Sequence, residues 1–237
     1  MSARKTRSRP YDRLVRAGAF LSQLKKEQNP LRMKMLLLGY VTDRLEKKAE
    51  HVVLVGGQAV ETYTGGQFLT GDVDITTTDP KTTEEILTGL GFKKISMIWL
   101  NEQLGIAVQI VGSILTGSLE KTRTIQTGPY NVKVIGVEDL IIDRLSHAKF
   151  WKSPGDLEKA KVLYANFKNQ IDQSYLKETA KKRDVKDFLA QAIGTRTRAG
   201  KADYQSRLKQ MLATPPQRLG KPMYPSPSKM KQIWRTA

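Results

Sequence analysis

The sequence predicts an α/β (α+β) fold: a small mixed-sheet core with N-terminal helices, a C-terminal helical domain and a disordered basic tail. Three observations predict it. Short apolar alternations of strand type gather between residues 51 and 137. Helical stripes fill the stretches before His51 and after Gly136. Positive charge and proline gather in the last 44 residues. The expected organisation is a basic arm and helices over 1–50, the core over 51–137, a helical domain over 138–193 and the tail over 194–237.

Each element has its own signal. Leu14, Ala17, Leu21 and Leu24 recur at helical spacing. Pro30 opens a second helix that turns Leu31, Met35, Leu38, Val41 and Leu45 inward. A strand follows over 51–55 and stops at Gly56-Gly57, and Gln58 to about Thr64 reads as a helix. Val73 and Ile75 alternate with Asp72 and Asp74, as on a strand with one buried face. Asp79-Pro80 starts a helix holding Ile86, Leu87 and Leu90, and Gly91 closes it. Strands are expected over 94–100, 106–111 and 132–135. Then come two amphipathic helices, one with Leu140, Ile141, Leu145 and Ala148. The other has Leu157, Ala160, Tyr164, Phe167 and Ile171 at spacings of 3, 4, 3 and 4. These stripes are packing surfaces. Lys181-Lys182-Arg183 reads as a solvated basic cluster.

Composition narrows the function classes. The 237 residues carry a net charge of +17 and no cysteine, which excludes disulfide frameworks, thiolate metal sites and cysteine nucleophiles. Only two histidines, His51 and His147, are present, so a histidine-rich metal site or a serine triad is excluded. Apolar runs are a few residues long, far short of the ~20 that a membrane span needs. The basic N-terminus lacks the apolar core of a secretory signal, and a simple basic arm fits it better than a transit peptide. A cytoplasmic location is expected.

The charge is uneven. Residues 1–30 hold eight Lys/Arg against two acids, and residues 194–237 hold ten against Asp203 alone. The 22 basic and 20 acidic residues between nearly cancel. Basic ends point to a polyanion, RNA before DNA, with Arg196, Arg198, Lys201, Arg207 and Lys209 as candidate contacts. Neither end carries the long amphipathic helix of a membrane-surface protein.

The chemistry lies in Leu54 to Thr76, LVGGQAVETYTGGQFLTGDVDIT. A strand runs into a double glycine and then a helix. Glycine lets backbone approach a ligand, and free N–H groups at a helix start favour phosphate. Asp72 and Asp74, at i and i+2 of a strand, point to one face about 7 Å apart. Two carboxylates so placed can hold Mg²⁺ (or Mn²⁺) beside a triphosphate. The order strand, Gly-Gly, helix, strand, Asp-x-Asp is far more specific than either half. No Walker lysine motif and no Gly-x-Gly-x-x-Gly fingerprint is present.

On these residues the chain resembles the nucleotidyltransferase superfamily that includes DNA polymerase beta. The match is closer to its small stand-alone prokaryotic branch, which includes the abortive-infection toxins. The resemblance covers about residues 50–170. It implies that Gly56, Gly57 and Thr70 hold nucleotide phosphates and that Asp72 and Asp74 bind the metal. Glu138-Asp139-Leu140-Ile141, Lys149 and Asp156 look like the family's later helical segment, with Lys149 beside the nucleotide. It implies an NTP substrate and leaves room for an antitoxin or other protein partner. One departure is visible. The third acid of the family is matched by Gln109, in Ile106-Ala107-Val108-Gln109-Ile110-Val111. An amide is a poor Mg²⁺ ligand and cannot act as a base. Glu102 and Glu120 are weak replacements. Two expectations stand side by side. One is a metal-dependent enzyme that moves an NMP to a hydroxyl of RNA or tRNA. The other is a catalytically impaired module on the same fold that binds nucleic acid.

Overall fold

The computed structural model describes residues 10–194 and 204–213. Two helices come first, α1 (Pro10–Lys26) and α2 (Pro30–Glu46). Asn29 starts α2 by accepting a hydrogen bond from Arg32 N at 3.0 Å, and Pro30 fills the first helical position. The core then alternates strand and helix: β1 (Val52–Val55), α3 (Gly56–Tyr63), β2 (Asp72–Thr77) and α4 (Pro80–Gly89). Asp79 caps α4 through Thr82 N at 2.9 Å, again with proline next. Three strands follow, β3 (Lys93–Ile95), β4 (Ile98–Asn101) and β5 (Ile106–Gly112). A hairpin of β6 (Arg123–Thr127) and β7 (Tyr130–Val134) completes the sheet.

The seven strands lie in the order β3-β4-β5-β2-β1-β7-β6. The sheet is mixed. β2 runs antiparallel to β1 and parallel to β5, while β7 runs parallel to β1. Leu54 pairs with Ile75 on one side and Val134 on the other, so these three side chains share a face. α2 covers that face. Its Gly39 sits so close to β7 that a Cβ there would overlap the side chain of Tyr130. Val73 and Ile75 are therefore buried under α2, at 0% and 1% exposure. Asp72 and Asp74, being out of phase with them, face away from α2.

The helical segment contains α5 (Val137–Phe150), α6 (Pro154–Phe167), α7 (Gln173–Lys182) and α8 (Lys186–Gly194). Its buried residues, among them Leu140, Leu145, Leu163 and Phe167, belong to the same apolar cluster as the sheet. Tyr63 joins the two parts. Its ring meets Phe167 edge-on at 5.4 Å, and its hydroxyl donates to Ile135 O at 2.8 Å.

Two sequence expectations are corrected and one is extended. The strand expected over 94–100 is two strands folded back on each other. Ser96, at φ 55, makes the turn without a glycine or asparagine to announce it. The strand expected over 132–135 is the second arm of a hairpin turned at Gly128 (φ 58) and Pro129. The tail expected to be disordered contains a helix, α9 (Tyr204–Ala213), that packs on α2 and α3. Its Leu208 and Leu212 are buried at 6% and 9% exposure, and Arg32 donates to Leu212 O at 2.7 Å. The i, i+4 leucine pair offsets the ordering entropy that the surrounding basic composition cannot.

Candidate active site

The site forms where β1 ends and α3 begins. Val55 pairs with Asp74 across β1 and β2, so the Gly-Gly turn lies directly against the second acid. Gly56 has φ 63, a conformation that other residues reach at a cost. A Cβ on Gly56 would lie 2.1 Å from Asp74 Oδ2, and one on Gly57 would lie 2.8 Å from Thr70 Oγ1. Only glycines permit this approach of backbone to side chain. Val55 has no polar side chain with which to cap α3. Asp74 serves instead, accepting a hydrogen bond from Gly57 N–H.

Thr70 leads into the acid pair. Its hydroxyl donates to Asp72 Oδ1 at 3.0 Å. Its backbone is held on both sides: Lys34 Nζ donates to Thr70 O at 2.9 Å, and Thr70 N donates to Glu61 Oε2 at 3.2 Å. Lys34 also donates to Gln58 Oε1 at 2.8 Å, and it stands 4.0 Å from the Glu61 carboxylate. The Lys34 and Glu61 side chains are 3% and 0% exposed. Burial lowers the Lys34 pKa, against the charges of Glu61 and Asp72, which raise it. This buried pair fixes the loop before β2 to the start of α3. The sequence reading missed it because Lys34 is a single charge within the apolar run from Met33 to Leu38. A lone lysine at i+3 from Leu31 is a weak signal.

Asp74 is pushed up to about 6. Burial is the main cause and the like charge of Asp72 the next. Gly57 N–H and the positive charge of Arg144 oppose them. Arg144, in α5, is the second residue that the sequence reading missed. Its guanidinium is 9% exposed and is held by Asp143 and by Asp156 Oδ1 at 3.1 Å. The Asp143-Arg144 pair with Asp156 twelve residues on was the available signal, hidden inside an amphipathic stripe.

The other expected residues are distributed as follows. Gln109 pairs with Asp74 in the parallel register of β2 and β5, so its side chain emerges on the same face beside the acids. Lys149 is directed elsewhere. Its ammonium bonds to Asp184 Oδ2 at 3.2 Å and Asp187 Oδ1 at 3.3 Å, at the α7–α8 junction. It lies five residues beyond Arg144, which is well round the helix from it. Asp156 holds Arg144 and Lys159. Glu138 and Asp139 act as braces: Glu138 accepts from Asp172 N at 2.8 Å, and Asp139 from Ser118 N at 2.9 Å and Tyr175 Oη at 2.7 Å. Glu102 sits in the β4–β5 turn, and Glu120 in a 3₁₀ turn (Leu119–Lys121). Among the described residues no group of three His, Cys, Asp or Glu converges as a metal cage. Arg196, Arg198 and Lys201 lie outside the described residues. Arg207 lies on α9, and Lys209 is exposed there beside Arg32 and Arg123.

A cavity of about 620 Å³ opens on the β1–β2 part of the sheet beyond the acids, lined by His51, Thr76, Thr78, Ser113, Leu115 and Glu120. It is of a size for a small ligand. No described helix is long and apolar enough to cross a membrane.

No family model and no curated protein matches the chain. Among the solved structures to which the chain is similar are two nucleotidyltransferase-related proteins. One is an antigenic nucleotidyltransferase-like protein from Paracoccidioides brasiliensis. It is 13% identical with a TM-score of 0.40, over 78% of this chain and 88% of that one. The other is the antibiotic-resistance factor ANT(2'')-Ia. It is 15% identical with a TM-score of 0.36, over 63% of this chain and 97% of that one.

Proposed function

We propose that the chain is a metal-dependent nucleotidyltransferase that moves a nucleoside monophosphate from an NTP to a hydroxyl acceptor, with RNA, tRNA included, as the acceptor class. One observation carries this reading. Two carboxylates are held on one face of β2, directly against a Gly-Gly helix start that has no side-chain cap of its own. The like charges of Asp72 and Asp74 repel, which is a cost without a cation and an attraction for one. Mg²⁺ binds through one or two carboxylates and completes its shell with water and phosphate oxygens, so a two-acid donor set fits it. Asp72 and Asp74 would hold the ion (Mn²⁺ suits the same donors). It would stabilise the charge that develops on the transferred phosphoryl group.

The remaining work falls to the protein. Gly56 and Gly57 let the phosphates approach the backbone, and the α3 start presents N–H groups to them. Thr70 orients Asp72 through its hydroxyl. Lys34 and Glu61 keep Thr70 in place. Arg144, whose charge reaches Asp74, would offset part of the negative charge gathered at the site.

A second reading has its own observation. Gln109 stands in register with Asp74, where a third carboxylate would serve as base and metal ligand. A protein so built retains NTP and RNA while transferring slowly or not at all. Labelled NTPs with Mg²⁺ and total RNA or tRNA separate the two. The enzyme reading expects label on RNA with wild type and none with Asp74→Asn. NTP binding without transfer favours the binding module. Failure of wild type both to bind NTP and to transfer label overturns both.

A further inference from the structure

One feature of α5 has no part in holding phosphate or metal. Asp143, His147 and Trp151 recur at i, i+4 and i+8, so they form a row along the end of the helix. α5 starts beside the end of α3 remote from the Gly-Gly turn, where Tyr63 donates to Ile135 O, and packs on α3, so its later turns approach the acid pair. The charge of Asp143 reaches Asp74, and His147 Nε2 stands 3.8 Å from Asp143 Oδ1. The row ends in solvent. Trp151 is 74% exposed, and the adjoining Phe150 is 56% exposed. Two large aromatic side chains left open side by side form an apolar surface that folding alone does not require.

The indole nevertheless packs on a neighbouring ring. Its ring lies 4.2 Å from the imidazole of His147, with the planes tilted by 34°. The turn that carries it is fixed at both ends. Lys152 takes the left-handed conformation at φ 51, α6 begins two residues later, and Asp156 of that helix is bonded to Arg144 of α5. Trp151 is thus presented at the tip of a braced turn. The helical rise puts it roughly 12 Å along the axis from Asp143. A nucleoside triphosphate is of comparable length, so the indole stands at a reach from Asp143 that suits a sugar and base extending out of the site.

We propose that His147 and Trp151 form a stacking platform for an unpaired nucleobase at the rim of the acid-pair site. The proposal rests on the nucleotidyl-transfer reading above and adds the site for the base. The imidazole backs the indole, and the indole offers a broad π-face. Stacking of this kind tolerates every base, because each has a π-face. The base belongs either to the NTP or to the acceptor RNA.

Binding measurements at fixed Mg²⁺ with the full chain test this, using ATP, a short unpaired oligouridylate and inorganic tripolyphosphate. Trp151→Ala is expected to weaken ATP, the oligonucleotide or both by roughly fivefold or more, and to leave tripolyphosphate unchanged. Trp151→Phe is expected to retain most of the affinity. Loss with ATP alone assigns the base to the donor, and loss with the oligonucleotide alone assigns it to the acceptor. Unchanged affinity of Trp151→Ala for both overturns the platform. So does an equal loss for tripolyphosphate, since the indole then acts on the phosphate site or the fold. Tripolyphosphate binding that depends on Asp74, with Trp151→Ala silent, overturns the platform and leaves the nucleotidyl-transfer reading standing. If wild type binds none of the three, that reading fails and the platform with it.

Discussion

Asp74 concentrates opposing influences in one carboxyl group: burial and the charge of Asp72 raise its pKa, while the N–H of Gly57 and the charge of Arg144 lower it. Its folded pKa of about 6 lies above its ordinary value of 3.8. Its contribution to stability is therefore full below about pH 4 and is lost as pH rises through about 6. Metal-free wild type should lose melting temperature across that window relative to Asp74→Asn. A constant difference between the two from pH 4 to pH 7 would contradict the assignment. Mg²⁺ should raise the wild-type melting temperature more at pH 7.5 than at pH 5, because only the ionised pair attracts it. Gly56→Ala should abolish that Mg²⁺ response, since its Cβ would overlap the carboxylate of Asp74. Lys34→Met leaves Glu61 buried without its cation. It should cost about 3–5 kcal/mol in urea unfolding, and adding Glu61→Gln should recover part of the loss. A cost below about 1 kcal/mol would show that the pair does not hold the loop.

Helix α9 is the element on which composition and structure disagree. Ten of the last 44 residues are basic, and such a stretch reads as a disordered tail. Within it, Leu208 and Leu212 share one face and find a groove between α2 and α3. Leu208→Ala should cost about 2 kcal/mol or more in urea unfolding if that face is as buried as it stands. A change within about 0.5 kcal/mol would mark it as a surface position. The β-strands teach a related lesson. Helices such as α2 and α4 were legible because Pro30 and Asp79-Pro80 carry local chemistry. The hairpin at Ser96 was not, because that turn is imposed by pairing between β3 and β4 rather than by a turn residue.

At the scale of the whole molecule, charge and chemistry occupy different places. The candidate site lies in a nearly neutral body, while most of the excess positive charge lies toward the ends of the chain. A truncation that tests the basic end should stop after residue 213, so that α9 is kept. Residues 214–237 hold five Lys/Arg and no acid. If all five contact single-stranded RNA, their removal should flatten the slope of log affinity against log salt by about 3.5, at ~0.7 per phosphate contact. An unchanged slope would remove the tail from the RNA contacts. The α/β class, the proline-started helices, and the Gly-Gly and Asp-x-Asp pattern are legible in the amino-acid sequence alone. Each of these is written in local spacing, in periods of 2 and 3.6 and in residues with special backbone freedom. Folding in three dimensions supplied the rest. It brought Gln109 into register with Asp74, placed Arg144 rather than Lys149 where its charge reaches the acid pair, set Lys34 beneath Thr70 and seated α9 on the core. These are contacts between residues far apart in the chain, fixed by how strands pair and helices pack, and no spacing along the sequence encodes them.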